Sequence, residues 1–165
     1  MAKHLPAKVT AVDIDGNTYE VATDQLGWRP SAYGIVIKDG AVLLHKQRNG
    51  YDLPGGGVDR GEMPEHAVVR EVKEETGIDV TNPRLLAIFS SFFKPPIPEG
   101  GVEFVQSILM YYVCDYAGGE LSTVGFDEWE KQNAEMAEWW PIDKLDGLKI
   151  GNSNDWRRYV RQLTT

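Results

Sequence analysis

The stretch LPGGGVDRGEMPEHAVVREVKEETGI, residues 53–78, decides the fold and raises a question about charge. It places three carboxylates, Glu71, Glu74 and Glu75, close together in a chain that is already acidic. On a helix Glu71 and Glu75 are i,i+4 neighbours, and like charges at that spacing destabilise an isolated helix by about 0.2–0.5 kcal/mol per pair. We therefore expect cations to neutralise this cluster in the folded protein.

The sequence around these glutamates predicts a helix over Pro64–Thr76. Proline suits the first turn of a helix, where its missing N–H costs nothing, and Gly77 is a typical stop signal. Val69 and Val72 point away from the carboxylates at 100° per residue, so one face can enter a core while the glutamates project together on another. The helix is therefore predicted to be amphipathic, with a carboxylate-rich face.

A run of glycines, Gly55–Gly57, follows Pro54 and precedes the predicted helix. We interpret residues 54–57 as an irregular loop, because glycines permit unusual backbone angles and close approach of a ligand to N–H and C=O groups. Mg²⁺ prefers oxygen ligands and is commonly held by a few carboxylates together with substrate phosphates. A glycine loop before an acidic helix thus predicts a site for a metal ion and phosphate oxygens.

The rest of the chain is rich in strand patterns and closes with a second helix. Strand residues flank turn signals at Asp15-Gly16 and Asp39-Gly40, which predicts two hairpins. Helical spacing of apolar residues behind a cap at Ser153 or Asn154 predicts the C-terminal helix. The fold class is therefore α+β, or an α/β sandwich with helices on a mixed sheet. The predicted strands are Val9–Asp15, Thr18–Thr23, Ala32–Lys38, Ala41–Gln47, Leu85–Phe93 and Glu103–Tyr116.

Composition bounds the class of protein. The chain has 165 residues, 42% of them hydrophobic and 25% charged, which predicts one globular domain. Its net charge of −8 argues against a dedicated nucleic-acid surface, which would be basic. We expect no membrane span and no secretory signal. The single cysteine, Cys114, lies in an apolar run and is predicted to be a core residue in a cytoplasmic protein.

The same stretch resembles a known family motif. The Nudix box reads G-x5-E-x7-R-E-U-x-E-E-x-G-U, where U is apolar, and every specified position is matched in this chain. The chain is therefore identified as a member of the Nudix hydrolase family. The matching residues are Gly56, Glu62, Arg70, Glu71, Val72, Glu74, Glu75, Gly77 and Ile78.

The resemblance implies a Nudix fold, a mixed sheet packed between helices, and a defined chemistry. Members of the family hydrolyse a nucleoside diphosphate linked to another moiety, using Mg²⁺ or Mn²⁺. Carried over to this sequence, the resemblance implies that Glu71 or Glu74 orients or deprotonates water, in addition to binding metal. It also implies that Arg70 braces the glutamates. The implied metal ligands and their support are Glu71, Glu74, Glu75, Glu62 and the carbonyl of Gly55.

A further catalytic carboxylate is expected from a loop outside the box. Among the acidic residues of the segment 126–138, Glu135 resembles the family's usual placement best. Glu128 and Glu130 remain alternatives for the same role.

Substrate recognition is less constrained by the sequence. Cations and glycines near the loop are candidates for phosphate binding, and aromatic residues, including Tyr51, Phe93 and Trp129, for stacking on a base. Nucleoside triphosphates, including oxidised ones, are the first substrate class, and ADP-ribose or nucleotide sugars are the second. A non-catalytic nucleotide-binding module is the third alternative. The predicted substrate-binding residues are Lys46, Arg48, Gly56, Gly57 and Phe92.

The chain is predicted to divide into an N-terminal hairpin extension, residues 1–28, and a Nudix domain, residues 29–165. A two-stranded hairpin alone is marginal in water, so it must pack on something. It either covers an edge of its own sheet or pairs with a second subunit in a homodimer. The dimer is the favoured alternative, because family members with such extensions often dimerise through them.

Overall fold

The computed structural model describes residues 6–96, 101–151 and 154–164. Within those residues the chain forms nine strands and three helices, with short 3-10 segments at Thr23–Gln25 and Ile142–Gly147. The helices are α1 (Pro64–Thr76), α2 (Glu130–Asn133) and α3 (Arg157–Gln162). The strands are β1 (Lys8–Asp13), β2 (Thr18–Ala22), β3 (Leu26–Lys38), β4 (Ala41–Gln47), β5 (Gly50–Asp52), β6 (Gly55–Gly57), β7 (Ile78–Lys94), β8 (Phe104–Gly119) and β9 (Ala134–Pro141).

The strands build a mixed sheet. Its order is β2-β1-β7-β8-β3-β4-β5, with β6 attached to β3 and β9 attached to β4. The pairs β3–β8 and β1–β7 are parallel and the others are antiparallel. The predicted fold class is thus confirmed. In the described part of the chain, no helix is long and apolar enough to cross a membrane.

Helix α1 covers one face of the sheet, and its limits match the prediction. Pro64 is its first residue, and Gly77 follows it in the left-handed conformation with φ 79°. Val68 and Val72 pack into a core cluster with residues of β3. Gly34 on β3 permits this approach, because an added Cβ would lie 2.7 Å from Cγ2 of Val72.

Helix α3 covers the opposite face. Trp156 and Val160 are fully buried against β3, β4 and β8 residues of a second core cluster. The helix begins at Arg157, two residues later than a cap at Asn154 implies. The Asn154 side chain instead donates a hydrogen bond to the buried hydroxyl of Tyr111, 2.8 Å away. The other predicted cap, Ser153, lies outside the described residues.

The glycine run departs from the prediction of an irregular loop. Residues Gly55–Gly57 form β6, which pairs antiparallel with Ser31–Tyr33 of β3. Glycine is needed here because a Cβ on Gly55 would lie 2.6 Å from the Cα of Tyr33. The absence of side chains therefore lets this segment lie against β3 as a strand.

The N-terminal hairpin joins the sheet of its own chain. β1 pairs with β7 in parallel through Val12 opposite Phe93 and Asp13 opposite Lys94. This arrangement is the first of the two alternatives for the hairpin, and the homodimer stays a prediction. Cys114 is buried on β8, where burial raises the pKa of its thiol to about 12, as expected for a core cysteine.

Candidate active site

Arg70 occupies the centre of the glutamate cluster. Its Nε and Nη2 donate hydrogen bonds to both oxygens of Glu62 at 2.8 and 2.9 Å, and its Nη1 donates to Glu71 at 2.8 Å and Glu74 at 3.0 Å. Nη2 also reaches the carbonyl oxygen of Gly57 at 3.1 Å. One planar guanidinium thus braces three carboxylates, which is the geometry that arginine provides and lysine does not.

Glu75 is held by a different set of partners. Its Oε2 accepts a hydrogen bond from the Gly55 backbone N–H at 2.8 Å. Its Oε1 lies 3.0 Å from Nδ1 of His45, a fully buried side chain on β4. Nε2 of His45 has no hydrogen-bond partner among the described residues. The sequence pattern did not single out His45, although a histidine at the end of the apolar strand AVLLHKQ was the available signal.

Glu130 at the start of α2 joins this pair. One ligand atom each from His45, Glu75 and Glu130 lie within 4.8 Å of one another. Glu135 does not join them: it lies opposite Lys46 in the β4–β9 register, and its carboxylate pairs with the Lys46 ammonium at 2.8 Å. Among the loop carboxylates, the structure therefore brings Glu130 to the site in place of Glu135.

The third loop carboxylate, Glu128, is highly exposed and pairs with Lys131 on the next turn. Gly125 brings the beginning of this loop onto α1, because an added Cβ there would collide with the backbone carbonyl oxygen of Glu74. The loop thus contacts the glutamate helix through a glycine.

The carboxylates of the site differ strongly in pKa. Burial, together with the charge of Glu75, raises the pKa of Glu71 to about 7. Burial also raises the pKa of Glu130 to about 7. Hydrogen bonds from Arg70 lower the pKa of Glu62 to about 2. Burial lowers the pKa of His45, but the adjacent Glu75 outweighs it and the net pKa is raised.

These residues fit a divalent cation. Glu71, Glu75 and Glu130 supply carboxylate oxygens, and one oxygen each of Glu75 and Glu130 lies within 4.8 Å of a ring nitrogen of His45. Hard cations such as Mg²⁺ and Mn²⁺ favour carboxylate oxygens. His45 offers one additional ligand atom, a ring nitrogen close to the Glu75 and Glu130 oxygens. Gly55 contacts Glu75 through its N–H, while a role for its carbonyl stays a prediction.

A pH dependence follows for the metal-free protein. Glu71 and Glu130 have folded pKa values of about 7 against an ordinary value of 4.5, so the folded chain keeps protons that the unfolded chain releases between those values. Their contribution to stability is complete below pH 4.5 and is lost as the pH rises through 7.

In EDTA we expect Tm at pH 6 to exceed Tm at pH 8 by about 3 °C or more. In a domain of this size, that shift corresponds to about 1 kcal/mol in the free energy of unfolding. Saturating Mg²⁺ should raise Tm and flatten this trend, since a ligand that binds the folded state stabilises it. Calorimetry at both pH values, with and without Mg²⁺, checks this. A metal-free Tm that rises with pH would contradict the assignment.

Glu71 and Glu75 open onto a cleft of about 720 Å³, a volume typical of small-molecule sites. Of the predicted substrate-binding residues, Gly56, Gly57 and Arg48 line this cleft, whereas Lys46 and Phe92 do not. Phe93 takes the place of Phe92, because neighbouring residues of a strand point to opposite faces. Other lining residues are Ile14, Asp15, Arg29, Asn49, Asp127 and Trp129.

Comparisons with known proteins identify the family of the chain. A model of the NUDIX domain matches residues 28–163. The ADP-ribose pyrophosphatase of Methanocaldococcus jannaschii is 35% identical over 133 residues, covering 78% of this chain and 70% of its own. An RNA pyrophosphohydrolase of Yersinia enterocolitica is 28% identical over 143 residues, covering 76% and 79%.

Solved structures give the same result. The MutT protein of Bacillus halodurans is 28% identical, with a TM-score of 0.58 over 74% of each chain. The MutT NUDIX hydrolase of Burkholderia pseudomallei, 23% identical, shares the fold with a TM-score of 0.58 over 84% of this chain and 99% of its own. The intact box, its geometry and these relatives together show that the chain belongs to the Nudix family of hydrolases, enzymes that act on pyrophosphate bonds.

Proposed function

We propose that this hydrolase cleaves the diphosphate bridge of a nucleoside diphosphate joined to a sugar, such as ADP-ribose, with Mg²⁺ or Mn²⁺. The charge of the cleft carries the proposal. Away from the box, carboxylates of Asp15, Asp52 and Asp127 line it beside a few cations, of which Arg48 is already paired with Asp15. Carboxylates accept hydrogen bonds from sugar hydroxyls but repel additional phosphate groups, so this lining favours a diphosphate over a triphosphate.

The archaeal relative named ADP-ribose pyrophosphatase supports the same substrate class, since it covers more than three quarters of this chain. The net charge of −8 weighs against RNA, the substrate in the name of the Yersinia relative.

Side chains of the site have distinct roles in this proposal. Glu71, Glu75 and Glu130 would hold the metal, which when bound would neutralise phosphate charge and activate water. Arg70 fixes the Glu71 and Glu74 carboxylates by charge-assisted hydrogen bonds. Glu71 and Glu74 remain the candidates for accepting the proton of the attacking water, and Glu130 joins them on its position.

Nucleoside triphosphates, the first substrate class in the sequence analysis, become the second candidate substrates. The PGGG form of the loop resembles that of members that cleave triphosphates, and the Bacillus MutT protein is a structural neighbour at 28% identity. The intact box and the hydrolase relatives argue against a non-catalytic module.

A paired assay tests the two candidates. Cleavage of ADP-ribose yields two phosphomonoesters, whose phosphate is released by alkaline phosphatase, whereas ADP-ribose itself resists that enzyme. Cleavage of a nucleoside triphosphate to the monophosphate yields pyrophosphate, which inorganic pyrophosphatase converts to phosphate. With Mg²⁺ we expect kcat/KM for ADP-ribose to exceed that for ATP and 8-oxo-dGTP by about tenfold or more, the scale of one interaction of about 1.4 kcal/mol. The reverse order would favour the triphosphate candidate instead.

A further inference from the structure

The turn of the N-terminal hairpin reaches the substrate cleft of its own chain. β1 runs beside the end of β7, where Val12 lies opposite Phe93. The turn residues Ile14–Gly16 then line the same cleft as Glu71 and Glu75. The NUDIX model matches residues 28–163, so the hairpin lies outside the match. It nevertheless contributes a wall to the site.

This turn is held in one conformation by Asp13. The Asp13 carboxylate accepts hydrogen bonds from the backbone N–H groups of Asp15 and Asn17, from the Asn17 side-chain amide and from the hydroxyl of Tyr19, all between 2.8 and 3.0 Å. These bonds keep the pKa of Asp13 low, at about 2. The wall is thus preorganised and does not depend on substrate to form.

Asn49 joins the hairpin to two other segments. Its Nδ2 donates to the Ile14 carbonyl at 3.1 Å and to the Gly151 carbonyl at 2.7 Å. Because both partners are acceptors only, the side-chain amide can face them only with its nitrogen. Its Oδ1 is then buried without a hydrogen-bond partner among the described residues. Asn49 therefore fixes the turn against the Gly151 segment, and its buried Oδ1 faces Gly151 and not the open cleft.

Asp15 places a charged acceptor in the cleft beside Asn49. Its Oδ1 lies 2.8 Å from Nη2 of Arg48, and both side chains are more than half exposed. An ion pair of this exposure adds little to stability. The pairing instead orients Asp15 and reduces the positive charge that Arg48 presents to the cleft.

We propose that the hairpin of the same chain forms the far end of the substrate cleft, where the Asp15 carboxylate accepts a hydrogen bond from a neutral donor group of the substrate. A sugar hydroxyl or a base amine offers such donors, whereas an ionised phosphate offers none and is repelled by Asp15. This subsite rests on the proposed function, because it explains how a sugar-bearing diphosphate is preferred to a triphosphate.

Single substitutions test the subsite. We expect Asp15→Ala to lower kcat/KM for ADP-ribose about tenfold through KM, the scale of a hydrogen bond to a charged group. The value for ATP should stay unchanged or rise. Asp24→Ala, which removes one exposed carboxylate of the segment after β2, is the matched control and should change neither value. Equal effects on both substrates, or none, would overturn the subsite while leaving the proposed function in place.

Inosine diphosphate ribose identifies the donor, because it lacks the adenine amine. Effects of Asp15→Ala that persist with this substrate assign the donor to a sugar hydroxyl, and effects that vanish assign it to the base.

A cross-link tests the intramolecular placement without reference to activity. In the Arg48→Lys variant, a carbodiimide should join the Lys amine to the Asp15 carboxylate as an amide, with loss of water. We expect the 15–48 cross-linked peptide in a product with the mass of one chain, and its disappearance when Asp15→Asn is added. A product with the mass of two chains, or no 15–48 cross-link, would overturn the placement. If the wild-type enzyme cleaved neither ADP-ribose nor ATP, the proposed function would fail. The cross-link would still show whether the hairpin lies at the cleft of its own chain.

Discussion

Substitution of Glu75 by glutamine is expected to reduce kcat by about a hundredfold or more, the scale of losing a principal electrostatic contribution to catalysis. Glutamine keeps the size of the side chain and can still accept the hydrogen bond from Gly55 N–H. It loses the negative charge that faces His45 and Glu130. Because that charge is almost fully buried, water cannot replace it.

Glu74→Gln should reduce kcat by a factor of the same order for a different reason. Glu74 is a candidate for accepting the proton of the attacking water, and glutamine cannot accept it. The Glu74 side chain is about half exposed, at 46%, and its contact is with Arg70. A smaller effect at Glu74 than at Glu75 would assign the principal metal contact to Glu75. The control is Glu120→Gln, an exposed carboxylate beyond β8, for which we expect activity within about twofold of wild type.

Steady-state kinetics at saturating Mg²⁺ and Tm measurements separate catalysis from stability for these variants. Near wild-type kcat in Glu75→Gln would show that the Glu75 carboxylate is not a metal ligand. Near wild-type kcat in Glu74→Gln would show that the Glu74 carboxylate does not accept the proton of the attacking water. A variant with a collapsed Tm would point to a structural role instead.

The parts of the fold set by local chemistry were predictable. Pro64 and Gly77 set the limits of α1, because one lacks an N–H and the other tolerates the left-handed conformation. Asp39 and Gly40 both have positive φ, 50° and 76°, which is what a tight two-residue hairpin turn requires. These signals act within a few residues, so the sequence reveals them directly.

The choice of loop carboxylate was not predictable in the same way. Glu130 and Glu135 are five positions apart in one polar segment, and both are compatible with the family pattern. The register of β9 on β4 places Glu135 opposite Lys46, on the exposed side. That register depends on contacts between residues about ninety positions apart, which local patterns do not report.

His45 was missed for a related reason. A histidine in a strand is compatible with a core, a surface or a site, and its partner Glu75 comes from α1, which follows two further strands. The glycine run was misread because the high conformational freedom of glycine usually indicates a loop. Here the same lack of side chains permits close pairing of Gly55 with β3.

Gly56→Ala should reduce kcat/KM by about tenfold to a hundredfold with little change in Tm, because a displacement of about 1 Å in a reacting group can cost that much. An added Cβ at Gly56 would lie 2.8 Å from the carboxylate carbon and both oxygens of Glu71. The end of a flexible side chain can move aside, so the fold survives while Glu71 leaves its position beside Arg70.

Gly147→Ala is the matched control for this substitution. A Cβ at Gly147 meets nothing within 4 Å, and neither glycine has a positive φ, so both variants add the same methyl group to a permitted backbone. We expect Gly147→Ala to retain full activity and Tm. If Gly56→Ala also kept wild-type kcat/KM, the Glu71 carboxylate would not need the position that it occupies beside β6, and its proposed role in holding the metal would be wrong. A loss of activity that coincides with a large fall in Tm would instead locate the effect in the pairing of β6 with β3.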